Sequence, residues 1–183
     1  MVIAILDANT LYPAPLRDYL LHLAAAGLFK PRWSAEIQEE WIRNLLINRP
    51  TLKRYDLEKT RKAMDSAFPD ADVEDYQEFI SRLILPDPDD RHVLAAAITC
   101  NASLIVTNNL KDFPATLLAS HSIQAISADE FVLQLIAMNT KTAMLALENQ
   151  VKLLRNPPLT KEDVLRNLSD CGLQKSVTEL KLK

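Results

Sequence analysis

Short apolar runs alternate along this chain with longer segments of helical spacing. Residues 2–6 form a short run that is apolar on both faces and rich in Val and Ile, which is typical of a buried strand. Four other short segments also predict strands, namely residues 29–33, 83–85, 104–106 and 123–126.

The segments between the strands carry apolar residues at three- and four-residue spacing, which predicts helices. Their predicted ranges are 16–26, 34–48, 57–67, 73–80, 87–98, a long helix from 127, 143–154 and 160–172. Ser34 and Asp87 are predicted N-caps, with Pro88 at a first helical position. Ser127–Glu130 predicts a capping box, and residues 160–163 predict a further capped start.

Alternation of strands with helices predicts an α/β fold, in which a parallel sheet is covered by helices on both faces. We assign this domain to residues 1–137. Residues 138–183 predict helices and no strand, so they are expected to form a C-terminal helical extension. This extension is too small to hold a core alone and must pack on the domain or on a partner.

Composition excludes several classes of protein. Only 2 glycines occur among 183 residues, and no glycine-rich phosphate loop is present. Two cysteines are too few for a disulfide framework or a metal motif. There is no signal peptide pattern and no apolar stretch long enough to span a bilayer, so a cytoplasmic protein without membrane contact is expected.

The net charge of −3 gives no indication of nucleic-acid binding, but the distribution of charge does. Residues 43–62 hold seven basic residues against two acids, which could face a phosphate backbone. The candidates for that contact are Arg43, Arg49, Lys53 and Arg54. A solvated helix surface explains the same pattern equally well.

Two acids follow predicted strands. Asp7 ends the run 2–6, and Asp112 comes shortly after 104–106. Ligands of open parallel sheets bind outside the carboxyl ends of the strands, so both acids can face one crevice. Clustered carboxylates commonly hold hard divalent cations. The structural alternatives are a helix cap for Asp7 and a loop acid paired with Lys111 for Asp112.

Two more acids are candidates for the same crevice. Glu40 borders the core side of its predicted helix, although a surface position is the alternative. Asp90 lies one turn inside a helix start that also holds Asp87 and Asp89; the helix dipole accounts for one or two of these acids. We therefore select Glu40 and Asp90, and leave open whether Asp87 or Asp89 contributes. The neighbouring His92 is expected to point to solvent.

Taken together, these residues resemble the PIN domain. The resemblance rests on the strand-end Asp7, the helical Glu40, Asp-x-Asp-Asp before Val93, and Val-Thr-Asn-Asn-x-x-Asp-Phe over residues 106–113. It covers roughly residues 1–135 and is most similar to the VapC-like toxins of bacterial toxin–antitoxin systems. The tail beyond Pro157 also resembles an extension found on some bacterial PIN proteins.

The resemblance implies a ribonuclease that depends on Mg²⁺ or Mn²⁺ and hydrolyses RNA phosphodiester bonds. Its implied catalytic and metal-binding acids are Asp7, Glu40, Asp90 and Asp112. Thr107, Asn108 and Asn109 are expected to support them, and Asn109 is the alternative to Asp112 as the fourth ligand. A small antitoxin protein is the implied protein partner. The apolar stripes of the C-terminal extension could serve such a partner or a second copy of the chain.

Two other functions fit parts of the sequence. A PIN-like binding protein that has lost activity is one, because Asn109 stands where many members of the family have an acid. A haloacid-dehalogenase-like phosphatase is the other, because Asp7-Ala8-Asn9-Thr10 approximates its D-x-D-x-T motif. That motif's second acid is Asn9 here, and the paired acids precede Thr107 instead of following it, which argues against a phosphatase.

Overall fold

A computed structural model describes residues 1–182 and shows a four-stranded parallel sheet in the order β2-β1-β3-β4. The strands are β1 (Ile3–Leu6), β2 (Lys30–Arg32), β3 (Leu104–Val106) and β4 (Gln124–Ile126). The predicted α/β fold class is therefore confirmed, together with four of the five predicted strands.

Strand β1 lies at the centre of the core. Successive side chains of a strand point to opposite faces, and Ala4, Ile5 and Leu6 are all fully buried. Both faces of the sheet are therefore covered. Because Leu6 pairs with Val106 in the parallel register of β1 and β3, the residues that follow these two strands emerge side by side.

Eleven α-helices lie within residues 1–182, and none of them is long and apolar enough to cross a membrane. They are α1 (Ala8–Leu11), α2 (Ala14–Ala25), α3 (Ala35–Asn48), α4 (Arg54–Ala67), α5 (Gln77–Ile80), α6 (Arg91–Thr99), α7 (Ala115–Leu118), α8 (Ala128–Met138), α9 (Thr140–Leu153), α10 (Lys161–Asp170) and α11 (Gln174–Lys181). Helices α1, α7 and α11 were not predicted from the sequence.

Side-chain caps begin several of the helices where the sequence predicts them. Ser34 accepts a hydrogen bond from the amide of Ile37, and Ser127 accepts one from Glu130. Thr160 and Asp163 form a complete capping box. These bonds satisfy amide groups that would otherwise lack a partner in the first helical turn.

The predicted strand over residues 83–85 is wrong. Leu83 and Leu85 are buried while Ile84 is 74% exposed, so the segment has the alternation of a strand. It does not join the sheet, however, and packs as an irregular connection before the 3-10 turn Pro88–Asp90. The 3-10 turn precedes α6. Asp87 therefore caps this turn, and not an α-helix as the sequence predicts.

The predicted helix over residues 73–80 is wrong in its first half. Only α5, the single turn Gln77–Ile80, is helical. The preceding residues run alongside the end of β2, where the amide of Trp33 donates to the carbonyl of Ala71 and the amide of Val73 donates to the carbonyl of Trp33. Tertiary pairing has thus overridden local helical spacing.

The C-terminal helices pack on the α/β domain, as the size of the extension requires. In α2, the Tyr19 hydroxyl donates to the carbonyl of Ala143 in α9 over 3.2 Å. Gln150 of α9 in turn donates to the carbonyl of Pro15 over 3.0 Å. The division at residues 137 and 138 remains a prediction.

Helix α11 is capped by a residue from far away in the sequence. The carboxylate of Asp129, in the first turn of α8, accepts hydrogen bonds from the amides of Lys175 and Ser176 and from the Ser176 hydroxyl. A carboxylate at a helix N-terminus also interacts favourably with the helix dipole. Asp129 therefore attaches the end of the chain to α8.

We expect Asp129→Ala to lower the free energy of unfolding by about 1–2 kcal/mol, because it removes the only side-chain cap of α11 recorded within residues 1–182. Urea denaturation measures this loss. The control is Lys175→Ala, which removes an exposed ion pair with Glu130 and should lower the stability much less than Asp129→Ala does, because solvent screens exposed pairs. Equal losses in the two variants would contradict the capping role.

Candidate functional site

Asp7 lies at the carboxyl end of β1 and is 4% exposed. Its Oδ1 accepts a hydrogen bond from the amide of Ala8 at 2.7 Å, so it caps α1. Its Oδ2 accepts from Asn9 Nδ2 at 2.6 Å and from Thr107 Oγ1 at 2.7 Å. Asp7 is thus both a helix cap and a rigidly held acid beside the end of β3.

The segment after β3 arranges the next group of side chains. The amide of Asn109 donates to Thr107 Oγ1 at 3.1 Å, and its side-chain Nδ2 donates to Asp112 Oδ2. Asn109 therefore orients Asp112. Asn108 faces another way: its amide donates to Asn9 Oδ1, and its Oδ1 accepts from the amide of Ala128 at the start of α8.

Three carboxylates meet where the Pro88–Asp90 turn faces the end of β3. Asp87, Asp90 and Asp112 each offer one oxygen, and these oxygens lie within 4.8 Å of one another. Asp90 Oδ2 is buried and has no hydrogen-bond partner within residues 1–182. A buried carboxylate oxygen without a donor is costly unless a cation balances it.

Negative charge is concentrated around Asp90. Its pKa is raised from 3.8 to about 7, first by burial and then by the charges of Asp7, Asp87, Asp112 and Glu40. The charges of these four acids therefore all reach Asp90. Burial also raises the pKa of Asp7, and the hydrogen bond from Thr107 only partly offsets this effect.

The expectation that His92 points to solvent is wrong. His92 is 5% exposed, and its Nε2 lies 3.5 Å from Glu40 Oε2 while its Nδ1 lies 3.8 Å from Glu36 Oε2. Burial lowers the pKa of the imidazole, but the hydrogen bond to Glu40 and the nearby acids outweigh it, so the pKa is raised overall. His92 therefore joins α6 to the acids of α3.

The basic candidates differ in their surroundings. Arg43 lines the same groove as Glu40 and Asp90. The guanidinium of Arg54 instead lies 2.6 Å from Glu39 and 3.1 Å from Glu58, so its charge is already paired with two acids of the same chain. Arg43 is consequently the better placed of the two to meet an anion in the groove.

Comparison with known proteins identifies the family. The PIN domain model matches residues 4–111, which include β1, α3, the acidic turn before α6 and β3. This match covers more than half of the chain. This chain belongs to the PIN domain family.

The C-terminal part of the chain matches a second domain model. The model of the VapC50 C-terminal domain matches residues 128–182, which extend from α8 to the end of α11. The chain is 36% identical over 81 residues to a protein of Mycobacterium tuberculosis (strain ATCC 25618 / H37Rv) named "Putative ribonuclease VapC50". That alignment covers 44% of this chain and 48% of the relative, about half of each. No solved structure matches the chain.

The four predicted acids occupy two zones. Asp90 and Asp112 share the close carboxylate group with Asp87, whose contribution the sequence left open. Asp7 and Glu40 do not belong to that carboxylate group, but their charges raise the pKa of Asp90. The residues that sequence reasoning missed are His92 and Glu36. The available signal was the four-residue spacing of Glu36 and Glu40, which places both on one helix face.

The raised pKa of Asp90 predicts how stability depends on pH. Between 3.8 and about 7 the folded protein holds more protons at Asp90 than the unfolded chain does. Stability from this group is therefore present at low pH and lost as the pH rises through about 7. We expect Asp90→Asn, in EDTA, to have a higher melting temperature than the wild type at about pH 8, by about 2–4 °C for each kcal/mol of electrostatic repulsion that the substitution removes. This difference should disappear at about pH 4, where Asp90 of the wild type is protonated in the folded state.

Thermal melts of both proteins across this pH range measure the difference. Asp89→Asn is the matched control, because Asp89 is exposed on the same turn and should leave the pH dependence of the wild type unchanged. A constant difference between Asp90→Asn and the wild type at every pH would show that the carboxylate of Asp90 is not under electrostatic stress.

Proposed function

We propose that this protein is a ribonuclease that hydrolyses RNA phosphodiester bonds with the help of Mg²⁺ or Mn²⁺. The observation that carries this proposal is the carboxylate group of Asp87, Asp90 and Asp112, in which one oxygen of each residue lies within 4.8 Å of the others. In addition, Asp90 Oδ2 is buried and has no hydrogen-bond partner within residues 1–182. Membership of the PIN domain family and similarity to a protein named as a ribonuclease support the same chemistry.

The donor set fits a hard divalent cation. Asp87, Asp90 and Asp112 would hold it, because Mg²⁺ and Mn²⁺ prefer carboxylate oxygens. A cation bound there would supply Lewis-acid activation of water and would neutralise charge on the phosphate. Asn109 fixes Asp112 by donating to its Oδ2, which supports Asp112 over Asn109 as the acidic ligand.

Asp7 and Glu40 would act beside this centre, because the charges of both reach Asp90. Asp7 is held by three donors, and Glu40 is held by His92, so each presents a carboxylate of fixed direction. Fixed carboxylates can accept a proton from water and orient it toward a phosphate. Thr107 contributes by holding Asp7 Oδ2, whereas the side chain of Asn108 is engaged at the start of α8.

The geometry supports direct hydrolysis over covalent catalysis. Asp7 Oδ2 already accepts hydrogen bonds from Asn9 and Thr107, which reduces its capacity to attack a phosphate. Asn9 donates one of these bonds, so it occupies a structural position and cannot act as the acid of a dehalogenase-like phosphatase. We therefore propose no covalent intermediate.

The biological setting is proposed on similarity. The matched C-terminal domain and relative carry VapC names, which supports a toxin whose partner is a small antitoxin protein. A homodimer is a further proposed assembly. Cys100 and Cys171 are free, which is consistent with the proposed reducing cytoplasm.

We expect Asp90→Asn and Asp112→Asn to lower kcat/KM for cleavage of a labelled RNA by about 100-fold or more, since each removes a charged ligand at the cation centre. Asp7→Asn should cause a comparable loss. The measurement is cleavage of a labelled single-stranded RNA of mixed sequence in Mn²⁺, with EDTA abolishing it.

Glu39→Gln is the matched control for these variants. Glu39 lines the same groove but pairs with Arg54, so its loss should change activity by no more than about twofold. A loss in Glu39→Gln as large as that in Asp90→Asn would indicate that total negative charge, and not a specific ligand set, controls the reaction. Cleavage by the wild type in EDTA would overturn the metal dependence.

RNA binding should distinguish Arg43 from Arg54. Arg43→Ala is expected to weaken binding about threefold to tenfold at low salt and to reduce the salt slope by about one, because one phosphate contact is lost. Arg54→Ala should change RNA affinity much less, since its guanidinium is held by Glu39 and Glu58. Binding of labelled RNA in Ca²⁺ at several salt concentrations gives both quantities. Equal effects of the two substitutions would remove Arg43 from the proposed RNA path.

A further inference from the structure

His92 connects the two helices that form the groove. It lies in the first turn of α6, two residues after Asp90, and it is 5% exposed. Its two ring nitrogens face two carboxylates of α3, with Nε2 3.5 Å from Glu40 Oε2 and Nδ1 3.8 Å from Glu36 Oε2. One buried ring therefore lies close to two acids that are one helical turn apart on α3.

Glu36 is fixed from its other side. The Tyr76 hydroxyl donates to Glu36 Oε2 over 3.2 Å. Glu36 and Glu40 are one helical turn apart, so His92 occupies the space between two like charges. The imidazole thus lies in a chain of contacts that begins at Tyr76, passes through Glu36 and ends at Glu40.

We propose that His92 is a positioning residue that holds Glu40 toward the acids at the start of α6, through a hydrogen bond from Nε2–H. This inference rests on the function proposed above, in which Glu40 acts beside the cation centre. Asp7 and Asp90 both lie within electrostatic reach of Glu40, and like charges repel one another. Without a donor at Nε2, Glu40 would turn away from the crevice toward solvent, because its side chain is 30% exposed.

Packing alone does not account for this histidine. His92 Nδ1 is buried and has no hydrogen-bond partner among residues 1–182, since Glu36 stands beyond bonding distance. An apolar residue of similar size would avoid that cost at a site that needed only to be filled. The ring is instead placed where Nε2 lies 3.5 Å from a carboxylate oxygen of Glu40, which is the arrangement expected of a group that orients another.

Two amide substitutions separate the roles of the two nitrogens. The side-chain amide of His92→Gln can reach toward Glu40 as Nε2 does, whereas that of His92→Asn corresponds in position to Nδ1. His92→Leu has similar volume and no donor. Gln and Leu are close to His in volume and Asn is smaller, and the three variants differ in the hydrogen bond that they offer.

We expect His92→Leu to lower kcat for cleavage of a labelled single-stranded RNA by about 10–100-fold, with KM changed by no more than about twofold. His92→Gln should recover most of this loss, and His92→Asn should not. If Gln and Asn restore activity equally, or if only KM changes, the role assigned to Nε2 is wrong.

A double-mutant cycle with Glu40→Gln tests whether His92 acts through Glu40. Adding His92→Leu to Glu40→Gln should lower kcat by less than about twofold beyond Glu40→Gln alone. Multiplicative losses would show that His92 acts independently and would overturn the inference. Urea denaturation of each variant shows how much of any loss reflects unfolding.

Calorimetric titration with Mn²⁺ provides a readout besides activity. His92→Leu and Glu40→Gln should weaken Mn²⁺ binding to a similar extent, and the double variant should be no weaker than either. If the wild type binds Mn²⁺ but cleaves no RNA, the proposed function fails while this cycle still decides the role of His92. If the wild type cleaves RNA and the cycle is additive in both readouts, the inference alone fails.

Discussion

Parallel pairing of β1 with β3 is the constraint on which the rest of the site depends. The two strands are about a hundred positions apart in the sequence, yet their register places Asp7 beside Thr107. The amide of Asp7 donates to the carbonyl of Val106, and the Thr107 hydroxyl donates to Asp7 Oδ2. A shift of one residue in this pairing would turn Thr107 to the opposite face of the sheet and remove its bond to Asp7.

The acids gathered at this edge oppose folding when no cation is present. Burial and mutual repulsion bring the pKa of Asp90 to about 7, so ionising it in the folded state is unfavourable. The protein limits this cost in two ways. Neutral donors such as Thr107 and Asn109 hold single oxygens, and His92 lies between the acids of α3. Asp90 Oδ2 has no hydrogen-bond partner among the described residues, so this part of the electrostatic cost is not offset.

Much of this arrangement could be predicted from the sequence, and the exceptions have a common cause. The position of Asp7 at the end of β1, and that of Asp112 a few residues after β3, follow from short apolar runs. The caps Ser34 and Thr160 follow from local residue types. The error at residues 83–85 arose because alternating burial does not require a partner strand. Local pattern reports which side of a segment is buried, but not what covers it.

The residues missed by sequence reasoning depend on contacts between distant segments. A histidine next to acids has no spacing that identifies its partner, and His92 meets α3 only because α3 and α6 pack around one crevice. The capping of α11 by Asp129 spans 46 residues in the chain, so no local rule finds it. The contribution of Asp87 could not be predicted for a different reason. The sequence does not distinguish among three acids at one helix start, because it does not show where each side chain points.

Hydrogen bonds also connect the site to the C-terminal helices. Asn9, which holds Asp7, accepts a bond from the amide of Asn108 at 2.9 Å, and the Asn108 side chain receives the amide of Ala128 at 3.1 Å. The next residue, Asp129, caps α11. Asp7 at one end of this series of hydrogen bonds caps α1, and Asp129 at the other end caps α11. The bonds therefore orient the starts of these helices as well as the side chains. The match of the C-terminal domain model begins at residue 128, at the junction of these two sets of bonds. The start of α8 is therefore hydrogen-bonded to the segment that supports Asp7, and Asp129 in the same helical turn connects α8 to α11.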